Sequence, residues 1–144
     1  LSRSLSRRAP VSNKMEGSPA VQLRNKVRAG DIHAAKALLK SGADYASPGQ
    51  TTRQWTALHI AAWGTTKPQY DREMVEAILR MAVKDDKEQQ VRSAKDAIDG
   101  KTPIELAKEK RETFSGSGDE QKQLEEKRKF DKIIEWLEKG LPAN

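Results

Sequence analysis

The sequence predicts an all-α fold, a short solenoid of about three helix-hairpin units, and three observations carry that prediction. Apolar residues recur at helical spacing in several separate stretches, among them Ile32, Ala35, Leu38 and Leu39, then Met74, Val75, Ile78 and Leu79, and near the end Phe130, Ile133, Ile134 and Leu137. These stretches are bounded by helix-start residues and by glycines, in an order that repeats along the chain. Finally, 35% of the 144 residues are hydrophobic and 33% are charged, which leaves a thin core and suits a solvated helical array better than a deep globule. The length fits one domain.

Taken in order, Ser18-Pro19 is an N-cap serine with proline at the first helical position, and Val21, Leu23 and Val27 give a short helix ending at Gly30. Asp31 caps a second helix, IHAAKALLKS, closed by Gly42. Two short helices joined by AGD form an antiparallel hairpin, and ADYASPGQTTRQW is an extended turn punctuated by Ser, Pro and Gly. Thr56 then caps ALHIAAW, a polar insertion GTTKPQY follows, and Asp71 caps REMVEAILRMAVK. After a charged stretch, SAKDAIDGKTPIELAKEK supplies another turn and a helix starting at Thr102-Pro103. DEQKQLEEKRKFDKIIEWLEKG is a long helix stopped by Gly140; Glu125 and Lys129 stand at i,i+4 spacing in its charged first part, which is expected to project into solvent before the helix packs. Residues 1–17 form a tail, 18–141 the array (units at about 18–50, 51–97 and 98–141) and 142–144 the C-terminal end.

The formal net charge of +6 is a local property. Residues 1–30 hold seven basic residues (Arg3, Arg7, Arg8, Lys14, Arg24, Lys26, Arg28) against Glu16, and the remaining 114 residues are balanced at 20 basic and 20 acidic. The tail is rich in Ser and Arg and is expected to be disordered. It opens without methionine, as a fragment would, with Met15 as an alternative start; its acid-poor composition also resembles a mitochondrial transit segment. Arg3 lies three residues before Ser6, which makes Ser6 a candidate phosphosite. Cysteine is absent, so disulfide scaffolds, cysteine-ligated zinc and thiol catalysis are excluded. No apolar run approaches the roughly 20 residues of a membrane span. No phosphate-cradling glycine loop, nucleophile elbow or histidine–acid metal spacing is present, so no catalytic residue, metal or cofactor is assigned.

TALHIAA and TPIELAK are similar to the Thr-Pro-Leu-His helix start of ankyrin repeats. GDIHAAKALLKSGADYAS resembles that family's passage from second helix to hairpin, and SAKDAIDGKTPIELA its hairpin with one residue extra; together these cover most of residues 18–140. The resemblance implies a solenoid of turn-plus-two-helix units joined by short β-hairpin-like turns. The chain departs from the pattern in insertions at about 64–70, 84–92 and 112–127, and in a polar first unit with Arg24, Asn25 and Lys26, as a capping repeat requires.

On that resemblance Thr56 caps the helix, while His59 bonds the threonine and a neighbouring hairpin backbone; the role is structural rather than catalytic. Thr102 and Glu105 take the same positions in the third unit, with Pro103 in the first turn. The family presents a concave surface of hairpin tips and first-helix faces. Carried over residue by residue, that surface comprises Thr52, Arg53, Trp55 and Trp63 in the second unit. In the third it comprises Ile98, Asp99, Lys101, Glu109 and Lys110, and in the first Arg28 and Ala29. Tryptophan and arginine dominate interface hot spots, so the expected function is non-catalytic binding of another protein, by a chain that is monomeric alone and located in the cytoplasm or nucleus. The alternative is attachment to nucleic acid or an anionic surface through the tail and Arg24, Lys26 and Arg28, a salt-sensitive and sequence-blind mode. Trp136 is expected in the core or the C-terminal cap; Trp63 under the insertion and Trp55 bracing the hairpin are the competing structural roles.

Overall fold

A computed structural model describes residues 18–49, 52–114 and 119–142, and the tail with Ser6 lies outside the described residues. The fold is all-helical, with no strand among the described residues. Helices α1 (Pro19–Ala29) and α2 (Ile32–Lys40) form the first pair, α3 (Ala57–Trp63) and α4 (Asp71–Lys84) the second, and α6 (Pro103–Glu112) and α7 (Glu120–Lys139) the third. A 3-10 turn, Pro68–Tyr70, precedes α4, and a short helix α5 (Glu88–Arg92) follows it.

Each start has a local cause. Ser18 Oγ accepts from Val21 N–H at 3.3 Å and Asp31 Oδ1 from Ala34 N–H at 3.1 Å, while Asp119 accepts from the amides of Gln121 and Lys122. The start of α5 has no side-chain cap, and Asp71 also departs from the expected pattern. It is the first residue of α4 rather than its cap, which is Tyr70 without a side-chain bond, because the Asp71 carboxylate is directed elsewhere.

The pairs stack in two layers. α3 packs between α1 and α6 in one layer, and α4 between α2 and α7 in the other. The middle helix α3 has neighbours on three sides, and its Ala57, Ala61 and Ala62 are fully buried, so small side chains let the surrounding backbones approach. Leu23, Val27, Leu58, Met74, Ile78, Leu79, Phe130 and Ile133 fill the space between layers with no exposure. Leu38, Ile134 and Trp136 pack against this core while remaining half-buried.

The connections differ from expectation. Among the described residues the turns before α3 and α6 carry isolated bonds and no β-ladder: Gly49 N–H to Trp55 O, Asp96 N–H to Lys101 O, and Ala97 N–H to Arg53 O, each within 3.0 Å. The later part of the third insertion is the start of α7, capped by Asp119 as the sequence predicts. The other two insertions fasten the ends of distant helices. In one, Thr66 N–H and Oγ donate to the Arg28 and Ala29 carbonyls at 3.1 and 3.0 Å, tying the segment over the end of α1. In the other, Arg92 Nη1 donates to the carbonyls of Leu137 and Glu138 at 2.9 and 2.8 Å, satisfying the last turn of α7.

Gly30 marks how closely the first insertion approaches. Its φ is +73°, and a Cβ there would lie 2.7 Å from Lys67 Cβ and 3.1 Å from Lys67 N. Gly30→Ala is therefore expected to cost about 2 kcal/mol, combining left-handed strain with a clash, and to lower the melting temperature by roughly 5–10 °C. Thermal unfolding followed by circular dichroism checks this; an unchanged midpoint would mean that the 64–70 segment does not press on α1.

Candidate functional site

Most of the expected site residues meet along one side of α3 and at the turn before α6, Arg28 and Ala29 excepted. Trp55, His59 and Trp63 are spaced by four, so their rings share one stripe of the helix and its entry. Trp55 stacks on the His59 imidazole at 6.3 Å between centroids with 14° between planes, and lies 6.3 Å from Trp63. Lys110 Nζ sits 5.0 Å over the Trp63 ring and the Arg53 guanidinium 5.6 Å over Trp55. Trp63 is thus paired with α6, where a place beneath the insertion was the competing expectation.

His59 is fully buried. Its Nδ1 accepts from Thr56 N–H at 3.1 Å and lies 3.0 Å from Thr56 Oγ1, and Thr56 Oγ1 accepts from His59 N–H. With Nδ1 accepting, Nε2 carries the hydrogen and donates to Lys101 O at 2.9 Å. Burial pushes the imidazole below its ordinary pKa, partly opposed by the Lys101 carbonyl, so the ring is neutral. The third unit repeats this capping box with a carboxylate, Thr102 N–H donating to Glu105 Oε1 at 2.9 Å; that bond, first among several, holds the Glu105 carboxyl below its ordinary value.

Asp96 organises the turn before α6. Its Oδ1 accepts from the amides of Ile98, Asp99 and Gly100, and its Oδ2 from the Trp55 indole at 3.3 Å. Burial works to raise its pKa, but the bonds from Asp99, Trp55, Gly100 and Ile98 together hold the carboxyl low. The indole donor, 41 positions away, has no sequence signal. Trp55 therefore braces the turn, half-buried against the His59 ring with the Arg53 guanidinium over it.

Around the rings the surface is charged and internally paired. Arg53 faces Asp99 at 3.5 Å, and Lys101 pairs with Glu109. Ile98 is 54% exposed at the tip of the turn, an apolar residue among these ion pairs. Thr52 is exposed at the same end. Arg28 and Ala29 do not join the cluster: the Arg28 guanidinium bonds Asn25, and the backbone of both is held by Thr66. Arg24 is a correction to the basic-surface alternative. It is buried, its Nη1 donating to Ser47 O at 3.4 Å, and burial lowers its pKa; it braces the first turn instead of facing an anion.

No protein-family model matches this sequence, and no curated protein matches it either. No helix among the described residues is long and apolar enough to cross a membrane.

Proposed function

We propose that the chain is an ankyrin-type repeat module that binds another protein, without catalysis, through the surface formed by Trp63, the half-buried Trp55, Arg53, Ile98 and Lys110. The observation that carries the reading is the ring-and-cation cluster on α3 and α6. Two tryptophans, each topped by a cation, and an exposed isoleucine are held by a turn whose buried groups are hydrogen-bonded. Such anchors are already ordered, so binding costs little side-chain entropy. The stacking of three helix pairs in two layers and the paired Thr56 and Thr102 capping boxes support the ankyrin-type arrangement. A cytoplasmic or nuclear location goes with this reading.

The test uses Trp63→Ala and Ile98→Asp and leaves Trp55 intact, because Trp55 also holds Asp96 and covers His59. Affinity capture from cell extract with nuclease present should retain a partner on the parent chain and lose at least about 10-fold on either variant, since a central hot spot is worth about 2 kcal/mol. Circular dichroism checks that all three proteins are folded. Equal capture by folded variants would sink the proposal. Capture abolished by nuclease or modest salt would instead favour attachment through the basic N-terminal region, to which Lys26 and Arg28 still offer exposed cations.

A further inference from the structure

A second surface lies in the other layer, between α2 and α4, away from the tryptophan cluster. There the helices leave an open groove of about 520 Å³, floored by Leu39, Ala77 and Met81. No Asp or Glu lines it. Lys36 and Arg80 on its rim are neutralised by Glu73 and Glu76, at 2.6 Å in each case. Lys40 and Lys84, one on each wall, make no ion pair with any described residue. The groove is thus an apolar floor between two ammonium groups that no carboxylate of the described residues compensates.

We infer that this groove docks an acidic amphipathic helix of a partner protein. The charge requires carboxylates: a basic or neutral segment would leave Lys40 and Lys84 without a partner at a surface from which it displaces water. The apolar floor requires aliphatic anchors, so a bare polyanion such as nucleic acid fits only the rim. The shape favours a helix. The described residues offer no strand edge for an extended peptide, and the nine-residue α2 makes a wall roughly 14 Å long, matching two to three turns of a third helix laid beside it. This inference does not rest on the α3–α6 surface, and either can fail without the other.

The probe is a fluorescein-labelled model peptide of about 14 residues, with leucines at i, i+3, i+4 and i+7 and glutamates on both flanks. Its anisotropy is titrated with the full chain. Binding in the micromolar range is expected. It should be weakened at least about 10-fold by Lys40→Glu/Lys84→Glu and abolished by Ala77→Arg, which fills the floor from a half-buried helix position. Trp63→Ala should leave it unchanged. Circular dichroism establishes that each variant is folded, and Ala77→Leu serves as a milder block should the arginine unfold α4. Absence of binding, binding indifferent to the groove variants, or equal binding of polyglutamate or single-stranded DNA would each overturn the inference.

Discussion

Replacing Asp71 by alanine is expected to remove about 3 kcal/mol of stability, the range found when one member of a buried ion pair is lost. The Asp71 side chain is 4% exposed. Its Oδ1 accepts from Thr65 N–H at 2.9 Å and from Thr65 Oγ1 at 2.7 Å, and its Oδ2 meets Lys129 Nζ at 2.9 Å. Lys129 also reaches Pro68 O at 3.1 Å and Glu126 at 2.6 Å, so α7, the 3-10 turn and the start of α4 converge on one carboxylate. Alanine leaves the part-buried Thr65 amide without its acceptor, leaves the Thr65 hydroxyl only the Lys67 carbonyl, and halves the compensation of a mostly buried ammonium. The effect should reach the proposed binding surface, because a Cβ on Gly64 would stand 3.4 Å from Asp71 Oδ2 and 3.6 Å from Lys110 Cε, placing the carboxylate directly beside the end of α3 that carries Trp63. Urea denaturation of Asp71→Ala, Lys129→Met and the double variant gives the coupling. A coupling above about 1 kcal/mol is expected. Single losses below that figure would mean that water already shares the site.

Acidification should destabilise the chain through His59. The folded-state pKa is depressed, so between that value and the unfolded value of about 6.5 the unfolded chain binds the extra proton. The stability His59 contributes is complete above pH 6.5 and is lost as pH falls below it, at no more than about 1.4 kcal/mol per pH unit. Protonation puts a hydrogen on Nδ1, which then faces the Thr56 amide donor to donor and breaks the capping box on the middle helix. His59→Gln keeps an acceptor for that amide and cannot titrate. Its denaturation free energy should start lower at pH 7.5 and change less between pH 7 and pH 5. Parallel curves for the two proteins would show that His59 titrates alike folded and unfolded, against this account.

Much of the helical framework is legible residue by residue. Ser18, Asp31, Thr56, Thr102 and Asp119 act within four positions of themselves, and the apolar stripes need only the 3.6-residue period to face inward together. The pairing of Thr56 with His59 is of the same local kind. Asp71 misled because a carboxylate before an apolar stripe has the form of a cap, yet a lysine 58 positions away and a nearby threonine compete for it. Arg24 misled for a similar reason: its place among polar neighbours says outward, but the carbonyl of Ser47 and the absence of a side chain on Gly49 make room for it inside.

The sequence by itself thus determined the six longer helices and most of their starts, because capping bonds and helical periodicity are settled by neighbours along the chain; it carried no sign of α5, which lies in a stretch read only as charged. Only the tertiary structure decided what the insertions do. Thr66 closes the end of α1, Arg92 closes the end of α7 across 45 positions, and the Trp55 indole finds Asp96 across 41. Each of these is a donor and an acceptor brought together only when the layers pack, and no pattern in the local sequence specifies which distant partner that packing supplies.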